Sequence, residues 1–551
     1  MTKLKSKGAR SPYFLIAILV LIVGIIVWQF YKYKIVNKNI NKVVQEKGKG
    51  LYTLHYENLL IDEVTGKLQV KNISIIPDTN VYNQMIREKT NPPVLLKITI
   101  PFLNITGVKT PKALLTKQID GSTIEISNPQ IEIEINDLSK DSTVYSPGKE
   151  LYKQLLGNLL QVKIGNVQVN RANLTVSSMK SNAVIFKGEN VSFMLSDLLI
   201  DSTTNNDGNR ILFSRNVDIG CDKILLPSKN KKYNYDFEKL RYTSKNNSFY
   251  IGKIRIIPQF SEEEFARISV FQKDRYDFLM EGITLFNINR ENMWHKNLVA
   301  DSLVIKNSSF KIYHDRTYPD DTVFKIPKYP EQQLMSLPVP LFIKKIILSN
   351  SFIEYKEKNE KSDSSGKVQF YKVHAVIDNV TNMHDYININ DKCILFFNAK
   401  FLNIAPVNVV LTMFLNNPQE KFLVEGSLRA MDARAVNVLA QPMGMARIDK
   451  GKINQIHFNF TGTDSLSTGK LTILYNDVKI SLLKKDKKKN KYDKKTIRSF
   501  VTNIILKNSN PENNKEPRVA NVRYDRDMSS SFFNVLWKSI FTGVKESAGA
   551  K

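Results

Sequence analysis

The strongest constraint on this chain of 551 residues is an internal repeat. Residues 56–77 and 237–258 align without a gap at an offset of 181, with their apolar positions in register. The matched pairs are Tyr56/Phe237, Leu59/Leu240, Leu68/Phe249, Val70/Ile251, Ile73/Ile254, Ile75/Ile256, Ile76/Ile257 and Pro77/Pro258. Because both segments share one pattern and neither contains catalytic residues, the repeat predicts the same local structure twice and favours a scaffold.

A shorter pattern, apolar-x-apolar-x-(Asn or Arg)-x-x-apolar-x-apolar, recurs inside this repeat. Its copies are Ile124, Ile126, Asn128, Ile131, Ile133; Val167, Val169, Arg171, Leu174, Val176; Leu303, Ile305, Asn307, Phe310, Ile312; and Ile346, Leu348, Asn350, Ile353, Tyr355. The first two copies align with the last two at an offset of 179. A unit of roughly 180 residues, spanning about 52–230 and 233–410, is therefore interpreted as duplicated.

We interpret each copy as two short strands paired through a tight polar turn, with Asn in the left-handed backbone conformation that it tolerates. The turns at Asn128, Asn307 and Asn350 are expected at one rim. The apolar members should face one common surface, while the intervening Glu125, Lys306 and Ser349 face water.

Residues 11–31 contain no charged side chain and include an apolar run from Phe14 to Trp28. At about 1.5 Å per residue this segment reaches about 30 Å, which is enough to cross a membrane. A cleaved signal peptide is the alternative, but no small-x-small site follows. Lysines and arginines are balanced on the two sides, so charge alone does not orient the predicted transmembrane helix.

The net charge of +27 is compatible with nucleic acid, an anionic membrane or a lysine-rich solvated face. Most basic residues alternate singly with apolar ones, as on the wet side of a sheet, and we expect no nucleic-acid partner. A dense cluster in residues 484–495 predicts an exposed basic loop. Its candidate contacts with anionic head groups are Lys484, Lys485, Lys487, Lys488 and Lys489.

Motifs for nucleophilic, metal-dependent or nucleotide-dependent chemistry are not found in usable context, so we expect no catalytic residue, metal ligand or cofactor. The polar run around His314, Asp315 and Asp320 is better explained as a loop between strands than as a metal site. A hydrolase with an unrecognised motif would need two or more of Asp, His and Ser within hydrogen-bond distance in one pocket. Cys221 and Cys393 are either a disulfide or two buried thiols.

Two helices are predicted in the C-terminal third. The first, within 430–440, places Ala433, Val436, Leu439 and Ala440 on one side, with Pro442 closing it. The second is amphipathic, runs over 531–545, and places Phe533, Trp537, Ile540 and Val544 on one face. Its alternative interpretation is a helix docked on the end of the sheet.

The C-terminal third also carries Gly426-Ser-Leu428, Asp432, Asn437, Pro442, Gly451, Gly462, Gly469-Lys-Leu471 and Tyr475-Asn-Asp-Val-Lys479. This series resembles the closing module of AsmA-like proteins, and the preceding repeat and apolar N-terminal segment are similar to that superfamily too. The chain is shorter than TamB-like and YhdP-like relatives.

The resemblance implies a single-pass inner-membrane protein of a Gram-negative cell, with a cytoplasmic tail at 1–10, a transmembrane helix at 11–31 and a stem at 32–50. The remainder would be periplasmic: β-groove repeats at 51–232 and 233–420, then an AsmA-like module at 421–551. The implied fold is mainly β, an elongated, repetitive, twisted antiparallel sheet forming a groove with short helices.

The implied function is non-enzymatic lipid binding or transfer in envelope biogenesis, with phospholipid or another envelope lipid as cargo and possible protein partners in the envelope, including the outer membrane. The candidate groove-lining residues are Ile124, Ile126, Ile131, Ile133, Val167, Val169, Ile254, Ile256, Leu303, Ile305, Phe310, Ile346 and Leu348. The alternative is a structural or regulatory scaffold with a closed β-sandwich body, since alternation alone does not distinguish the two.

Overall fold

The computed structural model is mainly β, with 61% strand and 15% helix, which confirms the predicted class. It describes residues 49–62, 64–108, 116–135, 159–204, 207–228, 230–294, 296–319, 329–359, 362, 364–486, 491–494, 507–512, 515–528 and 531–549. The predicted segments 1–10, 11–31 and most of 32–50 lie outside these ranges. Within the ranges no helix has the length and apolarity needed to cross a membrane.

The described residues form two compact units, one from residues up to 228 with 235–252, the other from 230–234 with those after 252. The predicted boundary at 420/421 therefore does not separate compact units. The first unit contains strands β1 (Tyr52–Asp62), β2 (Lys67–Pro77), β3 (Val94–Thr106), β4 (Gln118–Ser127), β5 (Gln130–Ile135), β6 (Gln161–Ser178), β7 (Val184–Ile200), β8 (Ser214–Pro227), most of β9 (Tyr233–Thr243), and helix α1 (Thr79–Arg87).

Strand β10 (Ser248–Pro258) crosses the boundary between the units. The strands of the second unit are β11 (Arg275–Phe286), β12 (Leu298–Asp315), β13 (Leu341–Lys358), β14 (Ser365–Thr381), β15 (Lys392–Phe401), β16 (Ala405–Phe414), β17 (Phe422–Leu428), β18 (Met431–Asp432), β19 (Ala446–Gly462), β20 (Leu466–Asp486), β21 (Lys491–Lys494) and β22 (Val519–Asp525). Its helices are α2 (Glu262–Ser269), α3 (Arg290–Trp294), α4 (Pro330–Met335), α5 (His384–Ile389), α6 (Asn437–Gly444), which follows a 3-10 turn (Ala433–Val436), and α7 (Phe532–Ser547).

The ladders are largely, but not entirely, antiparallel. Strands β4 and β5 both run parallel to β6, and β12 runs parallel to β13. The predicted antiparallel arrangement is confirmed as the dominant one, and these pairs depart from it. The reason lies in the connections, because residues 136–160 and 316–340 are long enough for the crossover that parallel strands require.

Element order and strand length repeat along the chain. Strands β1, β2, β9 and β10 each have 11 residues. Strands β6 and β13 each have 18 residues, and β7 and β14 each have 17. A short helix follows both β2 and β10. The two repeats thus build similar elements in the same order.

The recurring Asn/Arg pattern is not a hairpin, so the predicted pairing of two short strands is wrong. Three copies lie inside the continuous strands β6, β12 and β13. The fourth spans β4 and β5, which do not pair with each other but with the same neighbours, β3 and β6. Arg171, Asn307 and Asn350 are left-handed bulges within strands, and Asn128 lies between β4 and β5.

The left-handed conformation predicted for Asn is confirmed, with φ of 54° at Asn128 and 48° at Asn307 and Asn350. Arg171 has the same conformation, with φ of 53°. These residues lie within the sheet and not at a rim, because Asn350 Nδ2 donates to Asn307 Oδ1 across neighbouring strands at 2.7 Å. The hydrogen-bonded strand on each side prevents a chain reversal there.

One left-handed residue changes which side chains share a face. In a regular strand, residues separated by an odd number of positions point to opposite faces. Leu348 and Ile353 are separated by five positions, yet both pack on the hydrophobic core of the second unit. The bulge at Asn350 lies between them and resets the alternation.

The same register places predicted groove residues on one face. In the parallel ladder Leu303 pairs with Ile346, and Ile305 pairs with Leu348. Side chains paired in this way point to the same side of a sheet. In the first unit, Ile124 pairs with Val167 and Ile126 with Val169 in the same manner.

Lys372 tests the bulge in β14, where its φ is 50° and its side chain is exposed. Lys372→Val should lower the free energy of unfolding by about 1 to 2 kcal/mol, because a β-branched side chain is disfavoured in left-handed backbone. Lys372→Gly should change it by less than about 1 kcal/mol, since relief of strain offsets the entropy of glycine. Denaturant unfolding measures both variants.

Lys367→Val is the matched control, because Lys367 is an exposed residue of the same strand without a positive φ. This change should be neutral, since valine suits a regular strand. Equal destabilisation by valine at both positions would contradict the role assigned to the bulge.

Candidate functional site

The second unit encloses a cavity of about 1690 Å³. Pockets for drug-sized ligands occupy roughly 300–1,000 Å³, so this space is larger than such ligands need. Its strand wall extends from β13 to β20 and carries aliphatic and aromatic side chains. The wall residues are Leu348, Ile353, Val368, Phe370, Ala375, Ile377, Leu395, Phe397, Phe401, Val407, Val409, Leu411, Val424, Leu428, Ala446, Ile448, Ile453, Ile456, Phe458, Phe460, Ile473, Val478 and Ile480.

Left-handed residues keep this wall apolar along several long strands. Phe370 and Ala375 on β14 are separated by an odd number of positions, and Lys372 lies between them with φ of 50°. Tyr475 and Val478 on β20 likewise flank Asp477, whose φ is 53°. Without these bulges the apolar residues beyond each one would point away from the cavity.

Glycine and phenylalanine form cross-strand pairs at the base of the wall. In the β17–β19 ladder Gly426 pairs with Phe458 and Phe422 pairs with Gly462. A Cβ atom at either glycine would collide with the partner ring. Glycine is therefore required at these two positions because each ring lies over its partner's backbone.

The segment from Ala433 to Gly444 covers one part of the cavity. Its Ala433, Val436, Leu439 and Ala440 all line the space, and these are the residues that the sequence places on one side. The predicted end at Pro442 is wrong, since α6 continues to Gly444. It ends where Met445 adopts a left-handed conformation with φ of 49°.

Helix α7 covers another part, with large apolar side chains on one face and small buried side chains on the other. The Ser531 side chain caps its start by accepting from the Asn534 backbone N–H. Phe533, Trp537, Ile540 and Val544, the predicted apolar face, all line the cavity.

The other face of α7 contacts strands β20 and β22. Val535, Ser539, Gly543 and Ser547 are buried there. A Cβ atom at Gly543 would lie 2.7 Å from Leu471 Cβ and 2.8 Å from Val522 Cγ2. The small side chains thus allow the helix to dock on the sheet while its larger side chains reach the cavity.

Polar side chains gather where β11, β12 and β13 reach one end of the cavity. His314 Nδ1 lies 2.8 Å from Asp274 Oδ1, and His314 Nε2 lies 3.1 Å from Gln272 Oε1. The Gln272 amide nitrogen donates to the Tyr318 carbonyl at 2.9 Å, which orients its oxygen toward the histidine. Both ring nitrogens therefore lie within hydrogen-bond distance of a side-chain oxygen.

Asp274 and His314 lie within hydrogen-bond distance of each other in one pocket. This is the geometric condition stated above for a hydrolase with an unrecognised motif. A general base needs one ring nitrogen directed at the nucleophile. Here Nε2 already faces Gln272, so the pair lacks the orientation that acyl transfer needs. The arrangement is better described as a hydrogen-bonded pair.

A second pair lies beside it on β13. The Tyr355 hydroxyl donates to Glu357 Oε2 at 2.9 Å, and Arg316 Nη1 lies 3.7 Å from Glu357 Oε1. Burial, and then the neighbouring Glu357 carboxylate, raise the pKa of the Tyr355 phenol. The phenol therefore remains a neutral hydrogen-bond donor.

Of the thirteen predicted groove residues, Leu348 lines this cavity. Leu303, Ile305, Phe310, Ile346, Ile254 and Ile256 are partly buried elsewhere in the second unit, and Ile131 is partly buried in the first. Ile124, Ile126, Ile133, Val167 and Val169 are covered in the first unit, with 0 to 6% exposure. The apolar residues of β14 to β20 that line this cavity are not among the predicted ones.

The predicted basic loop is wrong in part. Lys484 and Lys485 lie on β20 and pair with Asp493 and Tyr492 of β21, so residues 483–486 and 491–494 form a hairpin. Lys487, Lys488 and Lys489 lie outside the described residues. Alternation of charged residues gave no sign of this strand pairing.

Cys221 and Cys393 are buried free thiols, one in each unit. Burial raises the pKa of the Cys393 thiol to about 12. In the part of the chain that the structure describes, no group of three or more His, Cys, Asp and Glu side chains could hold a metal ion.

A scan of protein-family models finds none that matches this chain, and a search of curated proteins finds no match. Any functional assignment must therefore rest on the geometry of the cavity.

Gly543→Leu tests the docking of α7. Leucine favours helix by about 1 kcal/mol over glycine, but here its side chain would collide with Leu471 and Val522. We expect the free energy of unfolding to fall by about 1 to 3 kcal/mol, as in other overpacked cores. Lys545→Leu, on an exposed position of the same helix, should not lower it. Thermal or denaturant unfolding distinguishes these outcomes.

Glu331, near the cavity-lining Pro330, tests an electrostatic feature of this site. Its side chain is 2% exposed, and burial followed by the neighbouring Glu420 raises its pKa from 4.5 to about 7. The folded state therefore binds the proton more tightly than the unfolded state. The associated stability is present below pH 4.5 and is lost as pH rises through about 7.

We compare the free energy of unfolding of Glu331→Gln with that of the original protein. The difference should shift in favour of the variant by roughly 3 kcal/mol as the pH rises from about 4 to about 8. Denaturant unfolding at several pH values measures this difference. Glu263→Gln, at an exposed helical carboxylate, is the control and should show no comparable change with pH. A constant difference for Glu331→Gln would contradict the raised pKa.

Proposed function

We propose that the second unit binds the acyl chains of a lipid in its apolar cavity, and that the protein is a non-enzymatic lipid-binding or lipid-transfer protein. The observation that carries this proposal is the cavity of about 1690 Å³ with its continuous apolar wall. Each methylene removed from water contributes about 0.8 kcal/mol, so a chain of many methylenes gains far more there than one polar contact provides.

Helix α7 supports the same proposal because it leaves apolar rings in contact with the space. Phe533 and Phe541 line the cavity and are each 43% exposed. Exposed aromatic rings beside an apolar cavity favour a ligand that covers them. An acyl chain offers apolar surface and needs no hydrogen-bond partner.

The location of the protein follows from the AsmA-like resemblance and belongs to the same proposal. Residues 11–31 would anchor the chain in the inner membrane, with residues 1–10 in the cytoplasm and the bulk in the periplasm. Its cargo would be phospholipid or another lipid of the cell envelope, and its role would lie in outer-membrane biogenesis.

A structural scaffold is the second candidate, and the first unit favours it. Ile126 and Val169 there are 0% exposed, and Ile124, Ile133 and Val167 are at most 6% exposed. A covered face of this kind is a packed core rather than an open binding surface. In this alternative the protein binds other envelope proteins and its second unit carries no lipid.

Two adjacent residues of β16 distinguish these functions. Val409 lines the cavity, whereas Val410 is 40% exposed and points to the opposite face. Val409→Trp should fill part of the cavity and reduce labelling by a phospholipid with a photoreactive group in its acyl chain by about tenfold, equivalent to about 1.4 kcal/mol. Val410→Trp should label like the original protein.

The measurement uses the full-length protein in detergent, with labelled peptides identified by mass spectrometry and folding checked by circular dichroism. Labelled sites should fall on the cavity wall and on α7. Labelling that is absent from the original protein, or equal in the two folded variants, would favour the scaffold.

A further inference from the structure

The lipid-binding proposal leaves open which head group the cavity accepts. We infer that the polar end formed by β11, β12 and β13 binds a zwitterionic head group containing a phosphate diester and a primary ammonium. This inference rests on the proposed function. It adds a class of lipid and a binding site for its polar part.

Adjacent strands bring the polar groups to one face. Tyr276 pairs with Ile312 on β12, and His314 pairs with Glu357 on β13. Asp274 continues the row through its 2.8 Å contact with His314. Arg316 follows two positions after His314, on the same side of the chain.

The cavity is therefore apolar along its strand wall and polar at this end. Asp274, His314, Arg316 and Glu357 all line it. A lipid with its chains along the apolar wall can place its head group here without burying an unpaired charge. This arrangement gives the ligand one orientation.

The charges occur in both signs, and those of Arg316 and Asp274 are accessible to solvent. Arg316 and Asp274 are 43% and 41% exposed, whereas Glu357 is 8% exposed. An arginine is suited to phosphate through its planar set of donors, and a carboxylate accepts hydrogen bonds from a primary ammonium. Lys273 also lines this end and adds a second cation near the phosphate position.

The existing contacts can be shared with such a ligand. Arg316 lies 3.7 Å from Glu357, which is longer than a well-formed charged hydrogen bond. A phosphate can accept from Arg316 while the ammonium donates to Glu357 or Asp274. A net-anionic head group would satisfy Arg316 and Lys273 but bring no ammonium to the two carboxylates.

The test is competition between two lipids with identical acyl chains. Full-length protein in detergent is equilibrated with mixed micelles containing equal amounts of phosphatidylethanolamine and phosphatidylglycerol. The bound lipids are then quantified by mass spectrometry after the protein is isolated again. We expect about three- to tenfold enrichment of phosphatidylethanolamine, the effect of one partly exposed charge-assisted hydrogen bond.

Glu357→Gln should lower this enrichment toward one, because it removes one of the two carboxylates that can accept from the ammonium, while glutamine still accepts from Tyr355. Glu354→Gln is the matched control on the same strand. Glu354 does not line the cavity, since it lies on the opposite face and accepts from Gln369 Nε2 at 2.6 Å. The control should keep the full enrichment.

The outcomes separate this inference from the proposed function. Bound lipid without a head-group preference, a preference for phosphatidylglycerol, or an equal loss in both variants would overturn the inference and leave lipid binding in place. Absence of bound lipid in the original protein would overturn the proposed function itself. Substituting the trimethylated head group of phosphatidylcholine should lower binding, since it cannot donate to the carboxylates.

Discussion

A single left-handed residue in the middle of a long strand is the constraint on which the cavity depends. Strand alternation has a period of two, so an uninterrupted strand keeps one set of side chains on each face. The patterns around Asn350, Lys372 and Asp477 contain odd spacings between apolar residues, and the bulges bring those residues to one face. The apolar wall is continuous because single residues within these strands adopt the left-handed backbone conformation.

Steric fit then determines that this wall borders a cavity. The rings of Phe458 and Phe422 lie over Gly426 and Gly462, where β17 pairs with β19, so both rings lie close against the sheet. Gly543 brings α7 close to β20 and β22, so that Trp537 and Ile540 lie over the space. Larger side chains at these glycines would fill or displace what now encloses the cavity.

Charged groups of both signs meet at the end of the cavity formed by β11, β12 and β13. The wall from β14 to β20 offers an acyl chain apolar surface, whereas Asp274, His314, Arg316 and Glu357 offer ionic contacts. Both ring nitrogens of the histidine face side-chain oxygens, so neither is directed at a nucleophile.

The sequence by itself determined the mainly β class, the repeated order of elements, the left-handed asparagines and the apolar faces of the two C-terminal helices, because these depend on local spacing and backbone preference. Only the tertiary structure decided that Asn307 and Asn350 are bulges, that β12 and β13 run parallel, and that the cavity lies over β13 to β20. Local alternation is identical in a hairpin, a groove and a packed core. Which one forms depends on hydrogen bonds and contacts between strands far apart in the chain.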